Sequence, residues 1–223
     1  MKNLVIILLI LVADPAVHAQ DWFSQHSQGE PVNGYIITIA GDTLAGSLKY
    51  DYPVIMQKRV SFVPGQGQNA VVYQPKDIRG YSCGGTFWES ANAVFDTYRG
   101  PVNFPRFGIL YHGKGPIHLL RIFPEKDKYK KNMSSTKAEA IYKNISLNQD
   151  PGSFRDLYLK KFEDPAESVN AASYKKDFIN TISRKVSDDK ELMNKITAKT
   201  YKPSDLLKIV DEYNDQAMKG RYK

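Results

Sequence analysis

Two acidic residues close to a tryptophan are the first candidates for chemistry in this chain of 223 residues. Glu89 directly follows Trp88, and Asp96 lies further along the same segment. Paired carboxylates cleave glycosidic bonds when one of them is kept protonated, for example by an aromatic neighbour, and the other stays ionised. Glu89 and Asp96 are therefore candidate catalytic residues of a hydrolase.

Two histidines suggest a different site. His112 and His118 flank the glycine-rich segment 113–115, and a hairpin at this segment would bring the two imidazoles close together. A zinc site needs at least a third protein ligand, which the sequence does not identify. The chain contains no His-Glu-x-x-His, Gly-x-Ser-x-Gly or Gly-x-x-x-x-Gly-Lys motif. We therefore predict no metal ion and no cofactor, and we keep both histidines as alternative catalytic or metal-binding candidates.

Aromatic residues are dense in the middle of the chain. Exposed aromatic side chains stack on sugars or anchor a protein partner, and Trp and Tyr are the types most used for this purpose. We predict that Trp88 and Tyr98 bind a ligand, whereas packing in the core accounts for most of the other members. The aromatic residues are Tyr81, Phe87, Trp88, Phe95, Tyr98, Phe104, Phe107 and Tyr111.

The elements that would position these residues are short strands. Over residues 32–123, β-branched and aromatic residues alternate with polar ones, and turn-forming residues stand at the breaks. Gly41 and Asp42 separate two such runs, and Asp77 stands at another break, so we interpret all three as structural turn residues rather than catalytic ones. About eight antiparallel strands in roughly 90 residues predict a sandwich or a partly open barrel.

The pattern changes in the C-terminal part. Residues 124–152 begin with PEKDKYKKNM, which is almost free of apolar residues, and we predict a linker there. Further on, Phe178, Ile182 and Val186 recur at helical spacing. Segments 154–167 and 178–191 align without gaps, so we predict two similar helical hairpins within residues 153–223. Chance similarity of two capped amphipathic helices is the alternative.

The first residues are typical of a secretory signal peptide. A lysine, an apolar run over residues 4–13 and the small residue Ala19 occur in the required order. The apolar run is shorter than the roughly 20 residues that span a membrane. We predict cleavage after Ala19, an N-terminal lead over residues 20–31 and no transmembrane segment in the mature chain. An uncleaved N-terminal anchor is the alternative.

Charge and cysteine content limit the partners. The formal net charge is +7, which favours anionic partners such as an envelope polysaccharide. Mixed signs in segments such as KKFEDPAE also fit an ordinary solvated surface, and no nucleic-acid motif is present, so we expect no nucleic acid. Cys83 is the only cysteine and has no base beside it, which favours a small packed residue over a nucleophile.

Three ordered motifs resemble those of a group of uncharacterised exported proteins of Bacteroidota-type bacteria. They are a Gly-Tyr…Gly-Asp-Thr hairpin, a Tyr-x-Pro-x-Asp-Ile step and a C-terminal Asp-Leu…Tyr-Asn helix. The resemblance implies a location in the periplasm or at the cell surface of a Gram-negative bacterium, and it implies no activity. The matching residues are Gly34, Tyr35, Gly41, Asp42, Thr43, Tyr73, Pro75, Asp77, Ile78, Gly80, Tyr201, Asp205, Leu206, Tyr213 and Asn214.

These features together predict an α+β protein with an antiparallel β domain over residues 32–123 and a helical region over residues 153–223. We expect a non-enzymatic module of the cell envelope that binds a protein or an anionic polysaccharide. A hydrolase acting on an envelope polymer is the alternative, and a structural accessory of a larger cell-surface assembly is a third.

Overall fold

The computed structural model describes residues 26–97, 100–123, 157–169 and 175–220, which form one ten-stranded sheet and a group of mainly C-terminal helices. The protein is therefore α+β. The strands are β1 Pro31–Thr38, β2 Thr43–Lys49, β3 Val60–Val63, β4 Val71–Tyr73, β5 Ile78–Cys83, β6 Thr86–Thr97, β7 Gly100–His112, β8 Ile117–Arg121, β9 Leu157–Lys161 and β10 Ala166–Ser168. The helices are α1 Pro53–Met56, α2 Lys175–Lys185, α3 Lys190–Thr197 and α4 Leu206–Met218, and a 3-10 turn at Pro203–Asp205 precedes α4.

Strand β6 belongs to two parts of the sheet. The strand order is β10-β9-β8-β7-β6-β5-β1-β2-β3-β4, and a parallel pairing of Ala166 with Ala93 also joins β10 to β6. This pairing closes β6 to β10 into a five-stranded barrel. The other five strands continue from β6 as a sheet that we call the open sheet. One edge of β6 therefore changes partner, from β5 over residues 86–89 to β10 at Ala93 and Val94.

Residues 157–161 and 166–168 are strands joined by a turn, which corrects the prediction of a helical hairpin in this segment. β9 lies in the barrel wall between β8 and β10. Leu157, Tyr158 and Leu159 are all buried, because β9 is covered on both faces and shows no two-residue period in its sequence. The barrel thus contains chain from both sides of the predicted linker, residues 124–152, which themselves lie outside the described residues.

The C-terminal helices pack on the outer surface of the barrel, where they cover the outward side chains of β8 and β9. α3 begins at a capping residue: the Asp189 carboxylate accepts a hydrogen bond of 2.9 Å from the Leu192 N–H. The buried residues of this layer are Ile117, Leu119, Leu157, Leu159, Val169, Phe178, Ile182, Val186, Leu192, Ile196, Leu206, Ile209, Val210 and Tyr213.

A side-chain amide takes the position of a strand partner at each end of β8. The Asn214 amide of α4 accepts from the Ile117 N–H at 2.9 Å and donates to the Ile117 carbonyl at 2.8 Å. Gln57, directly after α1, makes the same pair of bonds with Phe123, both at 2.9 Å. Its own carbonyl accepts from the Phe107 N–H at 2.7 Å. A primary amide can replace a strand because it carries both a donor and an acceptor.

The Gln57 amide makes a measurable contribution to stability. Gln57→Met keeps a side chain of similar length but leaves the Phe123 N–H and carbonyl unpaired in the core. Each of the two unsatisfied groups costs about 1–3 kcal/mol, so we expect the free energy of unfolding to fall by about 2–6 kcal/mol. Urea denaturation measures the change, with the exposed Gln66→Met as control. Equal stability of the two variants would contradict this assignment.

Candidate functional site

A cluster of ionisable side chains lies inside one end of the barrel. It consists of Glu89 on β6, His118 on β8 and Lys160 on β9, and we call it the barrel-end cluster. Each of the three residues lies two positions from an apolar side chain of the barrel interior, and side chains at that spacing point to the same face of a strand. The interior is formed by Ala91, Ala93, Leu120, Ile122, Tyr158 and Ala166.

Both oxygens of the Glu89 carboxylate are hydrogen-bonded. The His118 Nδ1 lies 2.6 Å from Oε2, and the Lys160 ammonium donates to Oε1, also at 2.6 Å. Lys160 is buried, whereas Glu89 and His118 are half-buried. Burial of an ammonium and a carboxylate costs free energy because both lose water, and only close pairing of this kind offsets that cost. The opposite charges of Lys160 and Glu89 therefore compensate each other.

The cluster stands where the open sheet meets the barrel. Between Glu89 and Ala93, the edge of β6 has left β5 and has not yet reached β10. The Lys160 ammonium also donates to the Ser90 carbonyl in this interval, at 3.2 Å. The Ser90 hydroxyl donates to the Pro75 carbonyl. The side chains of Lys160 and Ser90 therefore provide hydrogen bonds at the point where the edge of β6 passes from β5 to β10.

The electrostatics of Glu89 do not suit a general acid. Burial by itself raises its pKa, but the hydrogen bonds from His118 and Lys160 and the positive charge of Lys160 outweigh that effect. The pKa of Glu89 therefore lies below its usual value, and the side chain is ionised at neutral pH. A carboxylic acid that protonates a leaving group needs the opposite shift.

The structure does not bring Asp96 to Glu89. Both residues lie on β6, seven positions apart, and Asp96 pairs with Pro101 at the far end of the β6–β7 hairpin. Seven residues of extended strand span roughly 23 Å, whereas the carboxylates of a glycosidase stand about 5–9.5 Å apart. The predicted pair is therefore incompatible with glycosidic cleavage by these two residues.

The two histidines also diverge. His118 points into the barrel, whereas the His112 Nε2 lies 2.7 Å from the Asp211 carboxylate on α4. The β7–β8 hairpin thus directs the imidazoles to different layers of the protein. Among the described residues, no group of three His, Cys, Asp or Glu side chains is placed to hold a metal ion.

Trp88 is a core residue, which corrects the expectation of an exposed aromatic platform at this position. It is 0% exposed, and its ring stacks on that of Tyr81 with centroids 5.5 Å apart and planes at 11°. Trp88 neighbours Glu89 on β6 and therefore points to the opposite face, into the core of the open sheet. Tyr98 lies outside the described residues.

The other singled-out residues serve the fold. Gly41, with φ at 100°, and Asp42 form the bend between β1 and β2, where the Asp42 carbonyl accepts from the Thr38 N–H at 2.9 Å. The Asp77 carboxylate accepts from the Gln74 N–H at 2.8 Å in the turn before β5. Burial raises the pKa of the Cys83 thiol to about 12, so Cys83 is no nucleophile at neutral pH.

Phe162 is a site candidate that the sequence did not reveal. It follows β9 in the turn to β10, at the same end of the barrel as Lys160, and its side chain is 64% exposed. Its φ is 48°, a left-handed conformation that is strained for a bulky residue. Such strain persists only where the surrounding structure holds the residue in place, and it is concentrated at functional positions.

The turn that carries Phe162 is fixed from several sides. The Phe162 N–H donates to the Pro116 carbonyl at 2.9 Å, which ties the turn to the loop before β8. Lys161 pairs with Asp188 at 2.7 Å, and the Lys185 ammonium donates to the Pro165 carbonyl at 3.0 Å. The turn therefore presents the phenyl group on a rigid support.

Comparison of the chain with protein-family models, with curated proteins and with solved structures finds no match. Among the described residues, no helix combines the length and the apolar character that crossing a membrane requires.

Proposed function

We propose that the protein is a non-enzymatic binding module of the bacterial cell envelope, and that the barrel end around Phe162 is its binding surface. The observation that carries this proposal is the exposed phenyl group of Phe162, held by a strained backbone on a rigid turn beside an ionic cluster whose charges compensate one another. The signal-peptide pattern and the resemblance to exported Bacteroidota-type proteins support the location in the periplasm or at the cell surface.

A fixed aromatic anchor suits binding for a thermodynamic reason. A side chain and loop that are already ordered lose little conformational entropy when a partner covers them, so more of the contact energy appears as affinity. Aromatic anchors of this kind dominate many interfaces. The partner class is a protein with an apolar pocket or an anionic polysaccharide, the latter favoured by the net charge of +7.

Substitution of Phe162 tests the proposal. We expect Phe162→Ala to reduce capture of an envelope component by the chain from residue 20 to 223 by about tenfold or more. Met218→Ala is the matched control, because Met218 is 62% exposed on α4, and it should capture as wild type does. The readout is quantitative pull-down with protein and glycan analysis. Equal capture by Phe162→Ala and wild type, or equal losses in both variants, would refute the assignment.

Phe162→Gly separates binding from stability. Glycine adopts a left-handed backbone without strain, so we expect this variant to lose capture while its free energy of unfolding rises by about 1 kcal/mol. Loss of both capture and stability would instead mean that the phenyl group packs against the protein.

One observation favours a hydrolase as the second candidate. The Glu89 carboxylate fixes His118 through Nδ1, and Nε2 makes no hydrogen bond with any described residue. A carboxylate-oriented imidazole is the base half of a catalytic triad and can activate water. Shortening of an envelope polysaccharide by wild type but not by His118→Gln would favour this candidate over the binding module.

A further inference from the structure

Strand β4 forms the outer edge of the open sheet. In the part of the chain that the structure describes, it pairs only with β3. Val71 and Val72 are both exposed, Val72 by 56%, and adjacent side chains of a strand point to opposite faces. An edge strand also presents backbone N–H and C=O groups for pairing, and proteins usually protect such edges with charges or prolines within the strand. β4 contains neither.

Positive charge lies at one end of β4. The pairing of Val60 with Tyr73 places Arg59 beside Gln74, and Lys76 follows in the next turn. Both cations are exposed and form no ion pair with a described residue. The carboxylate of Asp77 is used within the turn, where it accepts the Gln74 N–H. The segment that leads into β4 at its other end, GQGQNA over residues 65–70, carries no charge.

We propose that β4 is a strand-addition site for an extended peptide with an apolar centre and an acidic amino end. Only an extended chain can satisfy the alternating backbone groups of a sheet edge, and its side chains then lie beside the two valines. In the antiparallel orientation, the amino end of the added strand lies at the end of β4 that Lys76 follows, with Arg59 one strand further in on the β3 side, and both cations complement acidic residues there. This surface is separate from the barrel end and goes beyond the binding proposed for Phe162.

The charge distribution argues against a second copy of this chain as the occupant. Two β4 strands paired antiparallel would place the basic end of each against the uncharged segment 65–70 of the other. Arg59 and Lys76 would then remain uncompensated in both copies. An acidic amino end on a peptide removes this imbalance, because it supplies two carboxylates where the two cations lie.

The probe is a fluorescent synthetic peptide in which two aspartates precede alternating Val and Thr residues. We expect the protein to bind it with a Kd of about 100 µM or less, measured by fluorescence anisotropy. The same peptide with the aspartates at its carboxyl end should bind about tenfold more weakly. Hydrogen exchange should slow in β4 when the first peptide is added, at the N–H groups that point away from β3.

Val72→Asp is the decisive variant, because it puts a negative charge on the exposed edge without disturbing the core. We expect it to weaken peptide binding about tenfold or more, whereas Val102→Asp should bind as wild type does, since Val102 is 39% exposed on β7 away from this edge. Circular dichroism confirms folding of both variants. Phe162→Ala should also bind the peptide as wild type does. Failure of the proposal for the barrel end can therefore be distinguished from failure of the proposal for β4.

Several results would overturn the proposal. They are absence of binding up to about 1 mM peptide, equal binding by Val72→Asp and wild type, and protection from exchange at residues other than those of β4. Protection of β4 that increases with protein concentration in the absence of peptide would identify a second copy of the chain as the occupant instead.

Discussion

Trp88→Ala is expected to lower the free energy of unfolding by about 3–5 kcal/mol. The indole is fully buried, stacks on Tyr81 and lies 6.3 Å from the ring of Phe123, centroid to centroid. Its removal leaves a cavity in the core of the open sheet that the surrounding strands cannot close, because they are hydrogen-bonded to β6 on both edges. Thermal and urea denaturation measure the loss.

The exposed Phe162→Ala provides the control, with an expected change below about 1 kcal/mol. The difference in stability between the two variants tests whether Trp88 or Phe162 is the aromatic side chain that is available to a ligand. A Trp88→Ala protein that kept its stability but lost capture of an envelope component would instead indicate a binding platform at Trp88.

The burial of Trp88 shows what alternation can and cannot predict on β6. The period of two places Trp88 and Glu89 on opposite faces. It does not say which face is covered, and on β6 both are: Trp88 lies in the core of the open sheet, whereas Ala91 and Ala93 line the barrel. A strand shared by two cores has no solvent face that would identify its exposed aromatic residues.

The strands of the N-terminal part were predictable because local signals determine them. Turn residues such as Gly41 and Asp42 mark the breaks, and eight strands form over residues 31–121. The helical faces of α2 and α4 were predictable for the same reason. β9 was not, because its closure into the barrel depends on the β10–β6 pairing, a contact between distant parts of the chain that leaves no local period.

The candidate site was predictable only in part. Glu89 stood out as an acid beside Trp88, and His118 as one of two histidines that flank a glycine-rich segment, but their contact depends on barrel closure, as does the participation of Lys160. Lys160 lies 71 positions from Glu89 in the chain. The left-handed backbone of Phe162 has no sequence signature, since the residue that usually marks such a position is glycine.

Removal of the Lys160 ammonium is the second large effect. Lys160→Met keeps the apolar stem but leaves the Glu89 carboxylate with His118 as its remaining partner in the cluster. Breaking one side of a buried ion pair is strongly destabilising, and we expect a loss of about 3–5 kcal/mol at pH 7. Urea denaturation measures it, and Lys161→Met, whose partner Asp188 is exposed, should lose only about 1 kcal/mol or less.

The pH dependence of stability should differ between the two proteins. In wild type the pKa of Glu89 lies below its unfolded value of about 4.3, so its contribution to stability is present above that pH and is lost as the pH falls through the folded pKa. Without Lys160, a hydrogen bond and a positive charge that oppose the effect of burial are lost, so we expect the pKa of Glu89 to rise and less of this contribution to remain at pH 7. The deficit of Lys160→Met relative to wild type should therefore shrink from pH 7 to pH 4.

The double variant Glu89→Leu with Lys160→Met separates folding from chemistry at the barrel end. Apolar replacement of both partners removes the unpaired charge, so much of the stability lost in Lys160→Met should return. Lys160 does not act through Glu89 if the stability deficit of Lys160→Met is as large at pH 4 as at pH 7. The same conclusion follows if the double variant is as unstable as Lys160→Met. A restored fold that still captures its envelope partner would mean that the cluster supports the barrel. Hydrolysis by wild type that this folded variant lacks would assign the cluster to catalysis.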